Sequence, residues 1–328
     1  NISNESLSIS VDCTASLQKE PTAADTIISL YTSAAKVTAT NNSITYNTAP
    51  SVSLMNDRLG GTTTDLDGGN IRYYGANPNN YIYFNCSDYS NQTSSTCETW
   101  RIIGVFNNIT TIDKLGNEKT ESLVKIVRND SLGDYSWDSS ESSKNSGYGV
   151  NEWSQADLMT ELNTDYINPN PASETTLWFN GPNNAKTGTY NYDKNIKSKS
   201  IDKVATVRWN TSRTPYGASA LNSYNQERST TSIIPPSDNV PRNNTWDGKI
   251  ALIYPSDYGY ASTDTACRDN MSSKTNNVYN CKNENWLFNS ANQRTLSPIS
   301  GDAYSVFFVY SGGTVLSNFA SYAFGVRP

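Results

Sequence analysis

Apolar positions come in short clusters whose spacing changes along the chain. Leu7, Ile9 and Val11 alternate with serines, the period of a strand with one apolar face. Behind Pro21-Thr22-Ala23-Ala24-Asp25 the spacing becomes helical. Ile27, Ile28, Leu30, Tyr31 and Ala34 predict an amphipathic helix of about four turns over 21–37. The polar stretch 38–53 reads as a linker, and Gly60-Gly61 and Gly68-Gly69 then bracket a loop holding Asp65 and Asp67. From Asn70 onward the texture is that of strands, over 71–74, 81–84, 100–105 and 123–127. The last two are expected to pair across the charged loop 113–121. Ser154-Gln155-Ala156-Asp157, with Leu158, Met159 and Leu162 behind it, matches a capping box and predicts a helix at 154–164. A weaker helical pattern covers 196–204, the region 205–248 is rich in loop residues, and 250–254 reads as a short buried strand. The chain closes on a hairpin, 305–309 and 314–316 around Ser311-Gly312-Gly313. No internal repeat of solenoid period is visible.

Composition narrows the possibilities. A chain of 328 residues allows one large domain or two ordinary ones. The texture divides it into an N-terminal strand and helix segment, 1–53, serving as stalk or assembly element, and a body, 54–328. Small polar residues dominate, with 41 Asn, 43 Ser and 34 Thr, but 21 Tyr and 7 Trp argue for a packed chain rather than a disordered one. There is no His, which removes Ser-His-Asp and Cys-His nucleophiles and every His-ligated metal site. A formal charge of -6 disfavours nucleic acid and anionic membranes, whose phosphates need a basic face. No apolar run approaches the ~18–20 residues of a membrane span. The first residue is Asn rather than Met, as in a processed or trimmed product.

Cys86 and Cys97, and Cys267 and Cys281, lie close in sequence within polar loops and lack CxxC spacing. They read as two local disulfides made in an oxidising compartment, each contributing about 3 kcal/mol by loop-closure entropy. Four reduced surface thiols are the alternative. Cys13 is left over, either for an intermolecular bond or as a buried free thiol. Ten N-x-S/T sequons are present, about the number this Asn, Ser and Thr content produces by chance, so they carry no information about glycosylation.

Little else has the form of a reactive site. Gly181-Pro182-Asn183-Asn184-Ala185-Lys186-Thr187 lacks the spacing of a phosphate loop. Asp65 and Asp67 are a weak calcium candidate, against the plainer reading of a solvated turn, since Gly69 stands where an EF-hand carries Asp or Asn. Asp138, Glu141, Glu152 and Asp157 lie near Trp137 and Trp153, which suits either a carboxylate hydrolase or an acidic helix N-terminus. No cofactor is expected.

One ordered set of motifs carries a resemblance. It runs Asn70-Ile71-Arg72-Tyr73-Tyr74-Gly75, Thr99-Trp100-Arg101-Ile102-Ile103-Gly104, Ser136-Trp137-Asp138 and Gly149-Val150-Asn151-Glu152-Trp153. It continues with Tyr254-Pro255-Ser256-Asp257-Tyr258-Gly259, Trp286-Leu287, Leu296-Ser297-Pro298 and Phe324-Gly325-Val326-Arg327-Pro328. Over about 70–328 the chain resembles surface proteins of low-GC Gram-positive gut bacteria. Their C-terminal module looks like a C-type-lectin-like α+β fold, related in architecture to the formylglycine-generating enzyme. Some members carry a pilin-like N-terminal helix, to which 21–37 would correspond. The enzyme branch needs reactive cysteines near its C-terminus, and the last 47 residues here contain none, so that activity does not carry over.

The resemblance therefore implies a non-enzymatic, extracellular, ligand-binding protein. Its ligand would be a host or microbial glycan or protein. In diversified binding proteins of this fold the variable residues lie in the last hairpin. By position this implicates Tyr304, Tyr310, Asn318, Phe319 and Tyr322, with Leu316 and Phe324 beside them. The plainer alternative is that Leu316, Phe319 and Phe324 pack in the core. The competing functional reading is a subunit of an extracellular filament. There residues 1–13 complete a neighbour's sheet and Cys13 locks the joint.

Overall fold

The computed structural model describes residues 21–41, 44–57, 69–138, 145–168, 194–230, 238–272, 274–275 and 278–328. The strand expected at 7–11, Cys13, Asp65, Asp67, Glu141 and the 181–187 loop lie outside the described residues.

The first helix forms as expected. In α1 (Ala23–Ser33) the Thr22 hydroxyl accepts the Asp25 N–H while the Asp25 carboxylate accepts the Thr22 N–H, a reciprocal cap. Its Ala24, Ile27 and Tyr31 are buried. The stretch 38–53 is not a linker but mostly a hairpin, β1 (Val37–Asn41) and β2 (Ile44–Ala49). Thr and Asn fill it, so no apolar alternation announces it, yet threonine's branched Cβ suits a pleated surface. β3 (Leu54–Asn56) pairs with β2, so one sheet runs across position 53/54.

β4 (Ile71–Tyr73), β5 (Tyr81–Phe84), β6 (Glu98–Ile112) and β7 (Glu118–Arg128) follow, and β6 and β7 pair as the sequence predicts. Gly104 is needed in β6 because a Cβ there would stand 2.2 Å from the Ile71 carbonyl oxygen of β4. After β8 (Asp134–Ser136) the helix expected at 154–164 divides into a 3₁₀ turn, Trp153–Gln155, and α2 (Asp157–Asn163). Ser154 does not cap α2. Glu152 caps the 3₁₀ turn, and an Asp138 carboxylate oxygen lies 3.4 Å from the Asp157 N–H.

The pattern at 196–204 yields only α3 (Ser198–Ile201). The loop-rich region contains β9 (Val207–Asn210), α4 (Ala220–Glu227) and β10 (Thr245–Gly248). Residues 250–254 are buried but form no ladder. They pass between two cores, and Tyr254 leads directly into α5 (Pro255–Tyr260). α6 (Thr265–Asp269), β11 (Lys274–Thr275) and β12 (Val278–Tyr279) precede the closing strands β13 (Gln293–Pro298), β14 (Ser305–Val309), β15 (Val315–Phe319) and β16 (Ala323–Gly325).

The result is a mixed α+β protein. Its larger sheet runs β1-β2-β3-β4-β6-β9-β10, with β5 and β7 also on β6, and its second runs β15-β14-β13-β16-β8. Phe307 of β14 belongs to the larger core, with Tyr31, Leu54 and Ile103. Its neighbour Val306 belongs to the other, with Trp137, Trp153 and Leu296. Successive strand side chains face opposite ways, so β14 separates the two cores and is buried on both faces. Both expected disulfides are present, Cys86–Cys97 and Cys267–Cys281, the second wholly inside the larger core.

Candidate functional site

Three of the five ring and amide positions expected to bind ligand come together. Tyr304 precedes β14, Phe319 ends β15, and Tyr322 lies in the turn into β16. Phe319 lies 5.4 Å, centroid to centroid, from Tyr304 and also 5.4 Å from Tyr322. A residue that sequence reasoning missed completes the group. Tyr148 stacks on Phe319 at 4.0 Å and reaches Tyr304 at 5.4 Å. Tyr148 and Tyr322 remain 39% and 41% exposed, so the cluster is a surface patch with its inner rings half buried. Among the described residues no hydrogen bond occupies the hydroxyls of Tyr148, Tyr304 or Tyr322.

The other two positions lie elsewhere. Tyr310 is at the far end of the β14–β15 hairpin, where its N–H reaches the Thr314 carbonyl. Asn318 neighbours Phe319 in the strand and so faces the opposite side, its side-chain oxygen accepting the Phe319 N–H at 2.8 Å. Phe324 stacks on Phe308 at 4.4 Å, away from the patch.

The patch stands on rigid supports. Tyr148 occupies a loop in which Asn145, Ser146, Gly147 and Gly149 all take positive φ. Its carbonyl accepts the Ser321 N–H at 3.1 Å, and a Cβ on Gly149 would sit 3.1 Å from both the Ala320 Cβ and the Asp138 carbonyl oxygen. The glycines on either side of Tyr148 are the signal that could have found it: a tyrosine held out between two turn residues.

Beneath the patch Arg294 is fully buried and, among the described residues, has no carboxylate partner. It donates to the carbonyls of Phe319, at 2.7 Å, and of Tyr322, so one planar cation fastens the turn that carries two of the rings. Burial lowers its proton affinity, to about 9, and its Nε and Nη1 lie buried without a hydrogen-bond partner among the described residues. On the other side, Arg213 and Arg242 converge on the Asn151 side-chain oxygen. Arg213 donates to the Asp302 carbonyl and Arg242 to that of Ala303, which fixes the loop leading into Tyr304. Burial, with Arg242 close by, pushes Arg213 down to about 10.

The acidic residues near the tryptophans are held by the backbone. Asp138 accepts the Val150 N–H at 2.6 Å, and Glu152 accepts the N–H groups of Ser154 and Asn243 at 3.2 and 3.1 Å. These carboxylates close loops that lead to the patch. Among the described residues no cluster of three His, Cys, Asp or Glu could hold a metal ion.

A second feature is a cleft of about 220 Å³ between β7 and β9. Lys125 lines it, with Nζ 2.5 Å from Asp257 and 4.2 Å from the Tyr254 ring centroid. Asp257 also receives Arg72 at 2.8 Å, and Arg72 reaches Asp57 at 2.5 Å. Burial alone would raise the Asp257 pKa. Lys125 and Arg72 outweigh it and hold the carboxyl at about 2. Burial raises the neighbouring Glu227 despite Arg228 and the Ser256 hydroxyl. This buried network ties the N-terminus of α5 to β4 and β7.

No family model, curated protein or solved structure matches the chain. The two disulfides fit a secreted or extracellular protein. Among the described residues no helix is long and apolar enough to cross a membrane.

Proposed function

We propose that this is an extracellular, non-enzymatic binding protein of C-type-lectin-like architecture that holds a glycan on the Tyr148–Tyr304–Phe319–Tyr322 patch. The observation that carries this reading is the rigid group of four rings with three uncommitted phenols. Ring faces accept the apolar C–H faces of a sugar, and phenols offer donors and acceptors to its hydroxyls. A scaffold that already orders the rings lowers the entropy lost on binding.

Size favours a saccharide over a protein. An aromatic side chain has roughly 150–250 Å² to bury, and these four are half buried or more, so the patch offers on the order of 300 Å². A stable protein interface needs about 800 Å² on each side. The lectin-like architecture is supported by the α+β composition, by the closing hairpin that bears the patch, and by the pairing of the last strand, β16, with β8. The two disulfides support the extracellular location.

The test is titration of the whole chain with soluble gluco-, galacto- and N-acetylglucosamine oligosaccharides, read by intrinsic fluorescence and calorimetry. Saturable binding should weaken at least about tenfold in Tyr148→Ala/Tyr322→Ala, whose rings are the most exposed of the four, with the fold checked by circular dichroism. Binding unaffected by the double substitution, or saturable binding to no sugar in the panel, overturns the reading.

A further inference from the structure

The cleft beside Lys125 lies over one face of the larger sheet. Residues paired across a ladder share a face, and so do alternate residues of a strand. Leu123 pairs with Phe106, Glu121 with Ile109, and Thr111 with both Lys119 and Val207. Along β7 the residues 119, 121, 123 and 125 alternate without interruption, because both register shifts place the extra residue on β6. Leu123, Phe106, Ile109, Val207 and Trp209 therefore project to one side, the side on which Lys125 meets Asp257. All five line the cleft, and Tyr254 and Arg228 complete it. Ile109, Leu123, Val207 and Trp209 are half buried, so the wall is apolar and partly open to solvent.

The charges along this wall are already answered. Lys125 pairs with Asp257, Arg228 with Glu227, and Arg208 with both Asp247 and Glu118. Lys249 donates to the Val204 carbonyl, and Lys203 lies over the Tyr89 ring at 4.7 Å. A charged ligand would lose its water here and meet no unpaired carboxylate or cation pair to replace it. Most polar groups are engaged as well. Trp209 Nε1 donates to the Gly248 carbonyl at 3.1 Å and the Tyr254 hydroxyl to that of Asn210 at 3.0 Å. One donor edge is left. Arg228 uses Nη1 for Glu227 and for the Tyr224 carbonyl, and among the described residues its Nε and Nη2 donate to nothing, though neither is buried.

Size sets the rest. The cleft measures about 220 Å³. A cavity of roughly 150 Å³ lined by apolar side chains takes one benzene, so a skeleton of two fused rings is the size that fits here. A concave, mostly apolar site with one or two placed polar groups is the form of a small-molecule site, and it is far smaller than the surface a protein partner needs.

We propose that this cleft binds an uncharged molecule of two fused rings bearing one carbonyl or hydroxyl oxygen, with its rings against Phe106, Leu123 and Trp209 and its oxygen on Arg228. The apolar wall supplies the affinity, and the Arg228 edge sets the orientation. The site shares no residue with the glycan patch, and neither reading depends on the other.

The experiment titrates the whole chain with three probes of one skeleton, 1-indanone, indane and indane-1-carboxylate, followed by calorimetry. 1-Indanone should bind saturably at one site. Indane, which leaves the Arg228 edge without an oxygen, should bind about tenfold more weakly, and the carboxylate more weakly still. Leu123→Phe and Val207→Phe each fill the cleft from a half-buried position and should weaken 1-indanone binding at least about tenfold, with folding checked by circular dichroism. Tyr148→Ala/Tyr322→Ala should leave it unchanged. No saturable binding of either uncharged probe overturns the proposal. So does binding that persists in both filled variants, or that is lost in Tyr148→Ala/Tyr322→Ala, because the probe would then sit elsewhere. Tightest binding by the carboxylate also overturns it, since the cleft would then be an anion site. Oligosaccharide binding should be the same in Leu123→Phe, Val207→Phe and native chains, which separates this outcome from that of the glycan reading.

Discussion

Replacing Asp257 by Asn tests the buried network beneath the cleft. The carboxylate is fully buried and accepts from Lys125 Nζ at 2.5 Å, Arg72 Nη1 at 2.8 Å and the Tyr254 N–H at 2.9 Å. The amide keeps the shape and removes the charge. Breaking a buried ion pair from one side costs about 3–5 kcal/mol. The lower end applies here. Arg72 retains Asp57, and Lys125, already shifted down by burial, can shed its proton. A loss of about 3 kcal/mol at pH 7 is expected.

Part of that loss depends on pH, with a definite sign. The folded carboxyl titrates at about 2, below its unfolded value near 3.9. Its stabilisation is therefore complete above the unfolded pKa and lost as pH falls through that value toward 2. Two units correspond to about 2–3 kcal/mol. Glu227, raised by burial, works in the opposite sense, but it is present in both proteins and largely drops out of their difference. Urea unfolding followed by tryptophan fluorescence at pH values from 7 to 2.5 measures that difference. It should shrink by about 2 kcal/mol across the range. A gap below about 1 kcal/mol at pH 7, or one that does not change with pH, would refute the assignment of Asp257 as the anionic centre of the network.

Two further outcomes concern the supports of the patch. Gly149→Ala forces a Cβ against Ala320 at positive φ, and should cost about 1–3 kcal/mol in thermal unfolding while weakening oligosaccharide binding through the displaced Tyr148. Arg294→Lys keeps a charge but ends one atom short of Nη2, the single nitrogen that donates to both the Phe319 and Tyr322 carbonyls. About 2 kcal/mol of stability should be lost, together with the near-ultraviolet dichroism of the ring cluster, and an unchanged spectrum would show that Arg294 does not order the turn.

Features encoded locally were legible in the chain. The Thr22–Asp25 cap and the buried face of α1 follow from spacing within one helix. β4 to β7 and the closing hairpin follow from alternation and turn residues. The pairings Cys86–Cys97 and Cys267–Cys281 follow from closeness in sequence. Where the reading failed, a distant partner had intervened. The 38–53 hairpin has no apolar alternation, and its Tyr46 is buried within the larger core, where Tyr260 and Arg268 pack against it. Ser154 loses the role of cap for α2 because Asp138 approaches from another loop.

The candidate site divides in the same way. That the last hairpin bears exposed aromatics is a property of the sequence. That Tyr304, Phe319 and Tyr322 gather around Tyr148, while Tyr310 and Asn318 stand apart, is not. It depends on strand register, on the positive-φ loop 145–149 and on an arginine that no spacing marks as a support. Residue types and local periods set what each segment could form. Only the packed chain decided which segments meet, because a buried charge such as Asp257 or Arg294 is tolerated solely where partners from remote positions converge on it.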